Sequence, residues 1–276
     1  MGVTDTNLNI GVFDSGIGGV AILKSLQRAL PSVHFFYIPD YRYYPYGNLD
    51  KKTIKSRSCD LVSVLVKRYR IDLLVVACNT VCTLALQDLR SRLSIPVVGV
   101  VPAVKPAVAA SSTKVICILA TTSTINSSYL SELIEAYGES CQFVKLASPK
   151  LVDIAERKFY QKPYSDSEVE NEMLPVIANQ KIDTVVLACT HFIHLVEEMK
   201  KIMLKRKIFW VDCSEAISNR VKSLLNQMNL RKKYLLKGGC TILLNDEKSI
   251  DQDLLKRWQK VDFSSTQIEQ YYFDNL

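Results

Sequence analysis

The chain contains little glycine or proline and has no long hydrophobic run. Of its 276 residues, 10 are Gly and 9 are Pro, while 48% are hydrophobic and 23% are charged. These proportions exclude a collagen-like or disordered chain and are typical of a globular protein with a sizeable core. No apolar stretch approaches the roughly 18 residues that suggest a membrane span, so we expect no membrane partner. At roughly 150 residues per domain, the length predicts about two domains.

The N-terminal segment lacks the features of a secretory signal. It reads MGVTDTNLNI, with neither a basic region nor an apolar core. We therefore expect a cytoplasmic location, where the eight cysteines remain free thiols. The chain also has no C-x2-C or H-x3-H pair. The spacings of Cys78 with Cys82, and of Cys189 with His191 and His194, suit zinc poorly, so we expect no metal.

The charge balance is basic without being extreme. There are 35 Lys and Arg against 28 Asp and Glu, which gives a net charge of +7. The basic runs at 200–207 and 231–233 are best interpreted as solvated helix faces, because they lack the interleaved aromatic residues of a single-strand binding surface. The charge permits nucleic-acid binding, but no recognition motif supports it.

Short apolar runs alternate with helical patterns along most of the chain. The runs that predict strands are residues 8–13, 33–38, 71–78, 96–100, 114–120, 142–147, 182–189 and 207–211. The helical patterns cover residues 20–30, 50–70, about 79–92, 127–137, two stretches ending near 180, and 191–205. This alternation, with nearly continuous apolar strands, predicts an α/β protein whose parallel sheets have helices on both faces.

A weak internal repeat divides the chain into two halves. Residues 71–78 (IDLLVVAC) and 182–189 (IDTVVLAC) are identical at five of eight positions, including the last cysteine. The first strands of the two halves also echo one another, since residues 10–15 line up with 116–121 at an offset of 106. The repeat predicts two similar α/β halves, each with one cysteine at the end of a strand.

Small polar residues follow four of the predicted strands, where open α/β sheets bind ligands. The groups are Asp14-Ser15, Cys78-Asn79-Thr80, Thr121 to Thr124 and Cys189-Thr190-His191. Each precedes a predicted helix N-terminus, which favours anions. If the halves face each other, one cleft collects two thiols, a carboxylate, an imidazole and neutral donors. The turn at 16–19 lacks the G-x-G-x-x-G spacing, so nucleotide binding is not favoured.

Two thiols on opposite faces of one substrate suit a particular reaction. A thiolate removes a proton from carbon, and the opposite thiol delivers one to the other face, so the product is the mirror image of the substrate. Asp14 and His191 are the natural groups to tune the thiols, because we expect each to lie next to one of the two cysteines. Five of the six other cysteines (Cys59, Cys117, Cys141, Cys213 and Cys240) are interpreted as small buried hydrophobic residues.

The motifs together resemble the glutamate racemases of the cofactor-independent aspartate/glutamate racemase superfamily. They are FDSGIGG at 13–19, PYG at 45–47, ACNT at 77–80, PVVGV at 96–100, Ala120-Thr121 with Thr124, and CTHF at 189–192. The resemblance implies interconversion of L- and D-glutamate without pyridoxal phosphate or metal, supplying D-glutamate for peptidoglycan. It also implies two flavodoxin-like domains with the site in the cleft between them, and it allows a homodimer. The domains would be 1–100 plus 213–276, and 101–212.

The resemblance also assigns roles to residues. Cys78 would act on the D-isomer and Cys189 on the L-isomer, and Glu156 would support the Cys189 side. The residues that would contact substrate or tune the thiols are Asp14, Ser15, Tyr46, Gly47, Asn79, Thr80, Thr121, Thr124, Thr190 and His191. The chain departs from the family pattern at Ala188, Ile193, His194, Ser148 and Asp153, all near the second catalytic half, and the resemblance does not cover the tail from about 241. A racemase of aspartate or another acidic amino acid, an inactive family member, and a basic DNA-associated binding protein remain alternatives.

Overall fold

The computed structural model describes residues 8–138, 140–203, 206–228, 238–245, 258 and 266–271. The basic run at 231–233 and the N-terminal residues 1–7 lie outside this description. The chain divides into two compact units, Met1–Val100 with Ser214–Leu276, and Val101–Cys213. No helix in the described part of the chain is both long and apolar enough to cross a membrane.

Strands and helices alternate along both units. The strands are β1 Asn9–Asp14, β2 His34–Pro39, β3 Leu73–Val76, β4 Val97–Gly99, β5 Val115–Ala120, β6 Gln142–Ala147, β7 Thr184–Ala188, β8 Phe209–Val211, β9 Gly239–Leu244 and β10 Thr266–Gln270. The α-helices are α1 Val20–Ala29, α2 Lys51–Arg68, α3 Asn79–Arg92, α4 Val104–Ala110, α5 Thr122–Ile125, α6 Ser128–Tyr137, α7 Pro149–Phe159, α8 Asp166–Ala178, α9 Val196–Ile202 and α10 Ser214–Gln227. Short 3₁₀ helices cover Tyr41–Tyr43, Tyr46–Asn48 and Thr190–Leu195.

Each unit contains one parallel sheet, and the two sheets share a strand order. The first sheet has the order β10-β9-β2-β1-β3-β4, and the second has the order β6-β5-β7-β8. The repeat pairs β1 with β5 and β3 with β7, so β2-β1-β3-β4 corresponds to β6-β5-β7-β8. This is the flavodoxin-like order, and the predicted α/β class with two similar parallel-sheet domains is confirmed.

Burial explains why the central strands read as continuous apolar runs. Every residue of β3, β5 and β7 is buried. In the second unit, Ile116, Ile118 and Val186 share one apolar cluster with residues of α4 and α6. Such strands are covered on both faces, so apolar side chains dominate both.

The local boundaries differ from the sequence pattern in two places that matter for the site. The run at 71–78 forms a strand only over Leu73–Val76, and Cys78 is already the N-cap of α3. The helix predicted at 191–205 is instead the 3₁₀ helix Thr190–Leu195 followed by α9, and residues 204–205 lie outside the described chain. Side chains of α7 bond to this 3₁₀ turn, and such tertiary contacts override helix propensity. The sequence pattern did not predict α4, α10, β9 or β10.

Candidate active site

In each sheet, the order in which successive strands are added reverses between two adjacent central strands. These are β1 and β3 in the first unit and β5 and β7 in the second. The loops after such strands diverge and leave a crevice at their carboxyl ends, which is where open α/β sheets bind ligands. Asp14 ends β1 and Ser15 follows it, Cys78 lies just after β3, and Thr121 and Cys189 follow β5 and β7.

Cys78 lies at the N-terminus of a 14-residue helix. It is the N-cap of α3, its side chain is 6% exposed, and its carbonyl accepts the Cys82 N–H at 2.9 Å. The Ser15 hydroxyl lies 3.7 Å from Cys78 Sγ. The helix dipole and the Ser15 hydroxyl both stabilise negative charge on this sulfur.

The glycine-rich turn after β1 is held close to the Cys78 strand. Gly16 N–H donates to Asp14 Oδ1 at 2.7 Å, and the Tyr37 hydroxyl donates to the Gly16 carbonyl at 2.7 Å. A Cβ added to Gly19 would lie 2.9 Å from Ala77 Cβ and 3.0 Å from Asp14 Cβ. Glycine is therefore required here by close packing, since a side chain would push the turn away from β3.

Asn79 carries a buried amide with no hydrogen-bond partner. Its side chain is 3% exposed, and neither Nδ2 nor Oδ1 is bonded to any group in the described chain. The adjacent Thr80 is also 3% exposed. An unsatisfied buried amide costs free energy of about 1–3 kcal/mol, so one placed beside a candidate catalytic thiol indicates a ligand site.

Tyr46 and Gly47 occupy the 3₁₀ helix Tyr46–Asn48. Tyr46 is 1% exposed, and its hydroxyl donates to Asp40 Oδ2 at 2.6 Å. Burial raises the pKa of Tyr46 well above its ordinary value, and the Asp40 carboxylate raises it further. A Cβ added to Gly47 would meet nothing within 4 Å.

The sequence analysis did not identify Asp40 and its partner Arg57 as site residues. Their only signals in the sequence were a carboxylate directly after a strand and a cation on a helix.

Thr121 and Thr124 cap the short helix after β5. Thr121 Oγ1 accepts the Thr124 N–H at 3.3 Å and donates to Thr124 Oγ1 at 3.1 Å. Thr124 is fully buried and Thr121 is 9% exposed. The two predicted site residues are therefore in contact, and their mutual bonds fix the loop at this edge of the second sheet.

Cys189 is backed by an imidazole and a carboxylate. Its Sγ lies 3.9 Å from His191 Nδ1, and His191 Nε2 lies 2.9 Å from Glu156 Oε1. Burial alone would lower the pKa of His191, but Cys189 and Glu156 outweigh burial and raise this pKa well above its ordinary value. A protonated His191 beside Cys189 stabilises negative charge on this sulfur. Thr190, between them, is 2% exposed.

Helix α7 holds the 3₁₀ turn at a second point. Lys158 Nζ donates to the His194 carbonyl at 2.6 Å and to Glu198 Oε2 at 2.8 Å. Of the departures from the family pattern, Ala188 is part of the apolar cluster, and Ser148 caps α7 and donates to Glu172 Oε2 at 2.6 Å. These departures therefore have structural partners in the second unit.

The other predicted packing cysteines are mostly buried. Cys59, Cys117, Cys213 and Cys240 are buried, and Cys141 is partly exposed. Burial raises the pKa of Cys117, Cys213 and Cys240 to about 12. Their thiols are thus protonated at neutral pH and unreactive. The described residues contain no group of three or more His, Cys, Asp or Glu placed to hold a metal ion.

Comparisons with known proteins agree with this arrangement. The Asp/Glu/hydantoin racemase family matches residues 10–217. Glutamate racemase of Histophilus somni (strain 129Pt) is 39% identical over 244 residues, which are 88% of this chain and 91% of that protein. Glutamate racemase of Aliivibrio fischeri is 38% identical over 260 residues, which are 94% of this chain and 96% of that protein. The chain therefore belongs to the Asp/Glu/hydantoin racemase family.

A solved structure extends the comparison to the fold. Escherichia coli glutamate racemase, crystallised with L-glutamate and the activator UDP-MurNAc-ala, superposes with a TM-score of 0.84 at 31% sequence identity. The match covers 96% of this chain and 99% of that one. The two-unit α/β architecture is thus that of a glutamate racemase structure over nearly its whole length.

Proposed function

We propose that this chain is a glutamate racemase that interconverts L- and D-glutamate with two cysteines and no cofactor. The observation that carries the proposal is the pair of thiols Cys78 and Cys189. They follow equivalent strands, β3 and β7, of two sheets with the same strand order. The high similarity to curated glutamate racemases supports glutamate rather than aspartate as the substrate.

The reaction proceeds by a proton removal and a proton delivery at the same carbon. In the L to D direction, the Cys189 thiolate takes the Cα proton of L-glutamate, and the electron pair of the C–H bond moves into the α-carboxylate as an enediolate. The Cys78 thiol then gives its proton to the opposite face of Cα, which yields D-glutamate and a Cys78 thiolate. The D to L direction exchanges the roles of the thiols. After an L to D turnover, Cys189 releases its proton to solvent and Cys78 takes one up, which restores the starting state.

The proposed substrate contacts come from both units. In the first unit they are Asp14, Ser15, Tyr46, Gly47, Asn79 and Thr80, and in the second they are Thr121, Thr124, Thr190 and His191. The buried Asn79 amide would bond to substrate and so satisfy its unused donor and acceptor. The N-terminus of α3 favours a carboxylate, and it stabilises the enediolate charge that develops during the reaction.

The proposal includes a cellular role. D-glutamate is supplied for peptidoglycan, and the enzyme acts in the cytoplasm as a small-molecule enzyme without a membrane or nucleic-acid partner. Its self-association as a homodimer is a further prediction, which light scattering of the purified chain at several concentrations would test.

The test is incubation of the purified chain with L-glutamate in D2O without added cofactor. We expect Cα–H exchange by NMR and loss of optical rotation as the mixture becomes racemic. Cys78→Ala and Cys189→Ala should each abolish racemisation, because each removes one of the two proton carriers. Cys59→Ala is the matched control, since Cys59 is buried in α2, and we expect it to remain active.

Several results would contradict the proposal. Full activity in both catalytic-cysteine variants would exclude the two-thiol mechanism. A requirement for pyridoxal phosphate would exclude the cofactor-free reaction. Faster turnover of L-aspartate than of L-glutamate would show that aspartate is the preferred substrate. No turnover of either, together with salt-sensitive DNA binding, would favour a binding protein.

A further inference from the structure

A buried carboxylate, Asp40, lies at the centre of a hydrogen-bond network beside the candidate site. Arg57 donates to both of its oxygens, from Nε to Oδ2 at 2.8 Å and from Nη2 to Oδ1 at 2.9 Å. The Tyr46 hydroxyl donates to Oδ2 at 2.6 Å, and Asn245 Nδ2 donates to Oδ1. A carboxylate has about four acceptor sites, so the four side-chain bonds saturate Asp40 and fix the orientation of each donor.

The network is buried and is bonded to the end of the sheet. The Asp40 and Arg57 side chains are 0% and 4% exposed. The Asp40 N–H donates to the Asp14 carbonyl at 3.0 Å, which ties the end of β2 to the end of β1. The Arg57 guanidinium also lies 4.6 Å from the centre of the Tyr43 ring. A dehydrated bidentate ion pair of this kind fixes geometry strongly.

Tyr46 connects this network to the Cys78 strand. Its ring packs edge-on against Phe13, with the ring centres 6.4 Å apart. The Phe13 carbonyl accepts the N–H of Ala77, the residue before Cys78, at 2.7 Å. Cys78 also contributes electrostatically to the raised pKa of Tyr46. A path of packed groups therefore runs from Asp40 through Tyr46 and Phe13 to the catalytic strand end.

Asn245 brings the C-terminal part of the chain into this network. It directly follows β9, and it is buried. It lies beyond residues 10–217, which the family model matches, but within the span aligned with the Aliivibrio fischeri relative. Strands β9 and β10 extend the first sheet next to β2, so the end of β9 lies beside the end of β2, where Asp40 is. This contact gives the C-terminal extension of the sheet a link to the candidate site.

We propose that Asp40 is a positioning residue that holds Tyr46 at the Cys78 side of the substrate site, and that Asn245 of the C-terminal segment supports it. The inference rests on the proposed racemase function. Asp40 acts through Tyr46 and does not itself touch the reacting atoms. Breaking the network frees the Tyr46 ring, which alters both substrate binding and access to the Cys78 thiol.

The test avoids changing Asp40 or Arg57, because either change leaves a buried charge unpaired and threatens folding. Four proteins are compared: the unchanged chain, Tyr46→Phe, Asn245→Ala and the double variant. The measurements are kcat and KM for both glutamate isomers, and the rates at which iodoacetamide alkylates Cys78 and Cys189 without substrate. Asn245→Ser is a milder second variant should circular dichroism show that Asn245→Ala is unfolded.

We expect the two changes to be coupled. Asn245→Ala alone should lower kcat/KM by about 10-fold. Added to Tyr46→Phe, it should lower kcat/KM further by less than about twofold, because the effects of two groups in one network do not add. Cys78 should be alkylated several-fold faster in Asn245→Ala and in Tyr46→Phe, and Cys189 at an unchanged rate. Tyr69→Phe is the matched control, because it removes a tyrosine hydroxyl bonded to a different carboxylate, Glu269, at 2.5 Å.

The outcomes separate the two proposals. If the unchanged chain does not racemise glutamate, the proposed function fails. If it does, but the effects of the two changes simply add, or Tyr69→Phe behaves like Tyr46→Phe, the positioning role is overturned. Unchanged alkylation of Cys78 in both single variants overturns it as well, whether or not glutamate is the substrate.

Discussion

The two strand-end thiols have different neighbours, although their strands are related by the repeat. Cys78 has a neutral hydroxyl, Ser15, at 3.7 Å, whereas Cys189 has the imidazole of His191 at 3.9 Å with Glu156 behind it. The charge that stabilises a thiolate is therefore supplied differently on the two sides. A helix N-terminus serves Cys78, and an imidazolium serves Cys189.

The first residue-scale prediction concerns Glu156→Gln. Burial lowers the pKa of His191, but Cys189 and Glu156 outweigh burial and raise this pKa above its ordinary value. Removing the Glu156 charge lowers the pKa of His191, so the imidazolium is lost at lower pH. We expect the alkaline limb of the kcat profile for L-glutamate to move to lower pH, and kcat at pH 8 to fall by about 10-fold.

The raised pKa of His191 also makes the free energy of unfolding depend on pH. A raised His191 pKa contributes stability that is full below about pH 6.5 and is lost as the pH rises through the pKa of the folded state. Glu156→Gln should weaken this contribution. Glu197→Gln is the control, since Glu197 is an exposed partner of Lys200 at 2.9 Å. An alkaline limb that stays in place in Glu156→Gln would show that Glu156 does not tune His191.

The second residue-scale prediction concerns Asn79→Ala. Because the Asn79 amide is buried without a partner in the described chain, its removal should leave the free energy of unfolding unchanged within about 1 kcal/mol, or raise it. The same change should lower kcat/KM for glutamate by about 10-fold or more, because the substrate loses its bonds to the amide. Urea unfolding and steady-state kinetics on the same protein measure both effects.

The control for Asn79 is an asparagine whose amide is satisfied. Asn9 Nδ2 donates to the carbonyls of Tyr69 at 3.1 Å and Arg70 at 3.3 Å. Asn9→Ala should therefore show the opposite result, a lower stability with unchanged kinetics. A large loss of stability in Asn79→Ala with normal kinetics would mean that this amide is structural.

Among the elements, the repeated strands were recognisable because burial on both faces makes them continuously apolar. Their ends were less predictable, since β3 and β7 are shorter than the apolar runs that contain them. The helix predicted at 191–205 becomes a 3₁₀ turn before α9 because Glu156 and Lys158 of α7 bond to it. Those bonds join residues that are about 35 positions apart, so the periodicity of a short segment cannot predict them.

The element-scale prediction concerns Asp183, which precedes β7. Its carboxylate accepts from the Ser111 hydroxyl at 2.6 Å, Ser112 N at 2.7 Å, Thr113 N at 2.8 Å and Thr184 Oγ1 at 2.9 Å. It thereby ties the turn before β5 to the start of β7. Asp183→Asn should destabilise the chain by about 1–3 kcal/mol at pH 7, because the amide nitrogen that replaces one carboxylate oxygen cannot accept the two bonds made to it.

The effect should depend on pH. Burial would raise the pKa of Asp183, but its hydrogen bonds outweigh burial and lower it to about 2. The stabilisation is thus complete above the unfolded pKa near 4 and is lost as the pH falls towards 2. Urea unfolding at pH 7 and pH 2.5 measures it. Asp72→Asn is the matched control at the equivalent repeat position, where the carboxylate accepts the Asn9 N–H at 3.0 Å, and we expect a smaller loss. Equal losses of unfolding free energy in Asp183→Asn and Asp72→Asn would contradict the stabilising role given to the four bonds of Asp183.

At the scale of the whole molecule, two units share one strand order, and the first sheet carries two additional parallel strands. The net charge of +7 is not concentrated in the site described here, whose catalytic candidates are two thiols, a carboxylate and an imidazole. The proposed chemistry therefore depends on strand ends and helix N-termini rather than on the overall charge of the chain.

The sequence by itself determined the α/β class, the two similar halves and the identity of the two strand-end cysteines. These follow from apolar periodicity, from a repeat and from motifs, which are all properties of short segments. Only the tertiary structure decided which groups surround the thiols. Glu156 reaches His191 across 35 residues, Arg57 reaches Asp40 across 17 and Asn245 reaches Asp40 across 205. A buried polar contact depends on where distant elements pack, and neither partner shows in its own segment whether or where it will be paired.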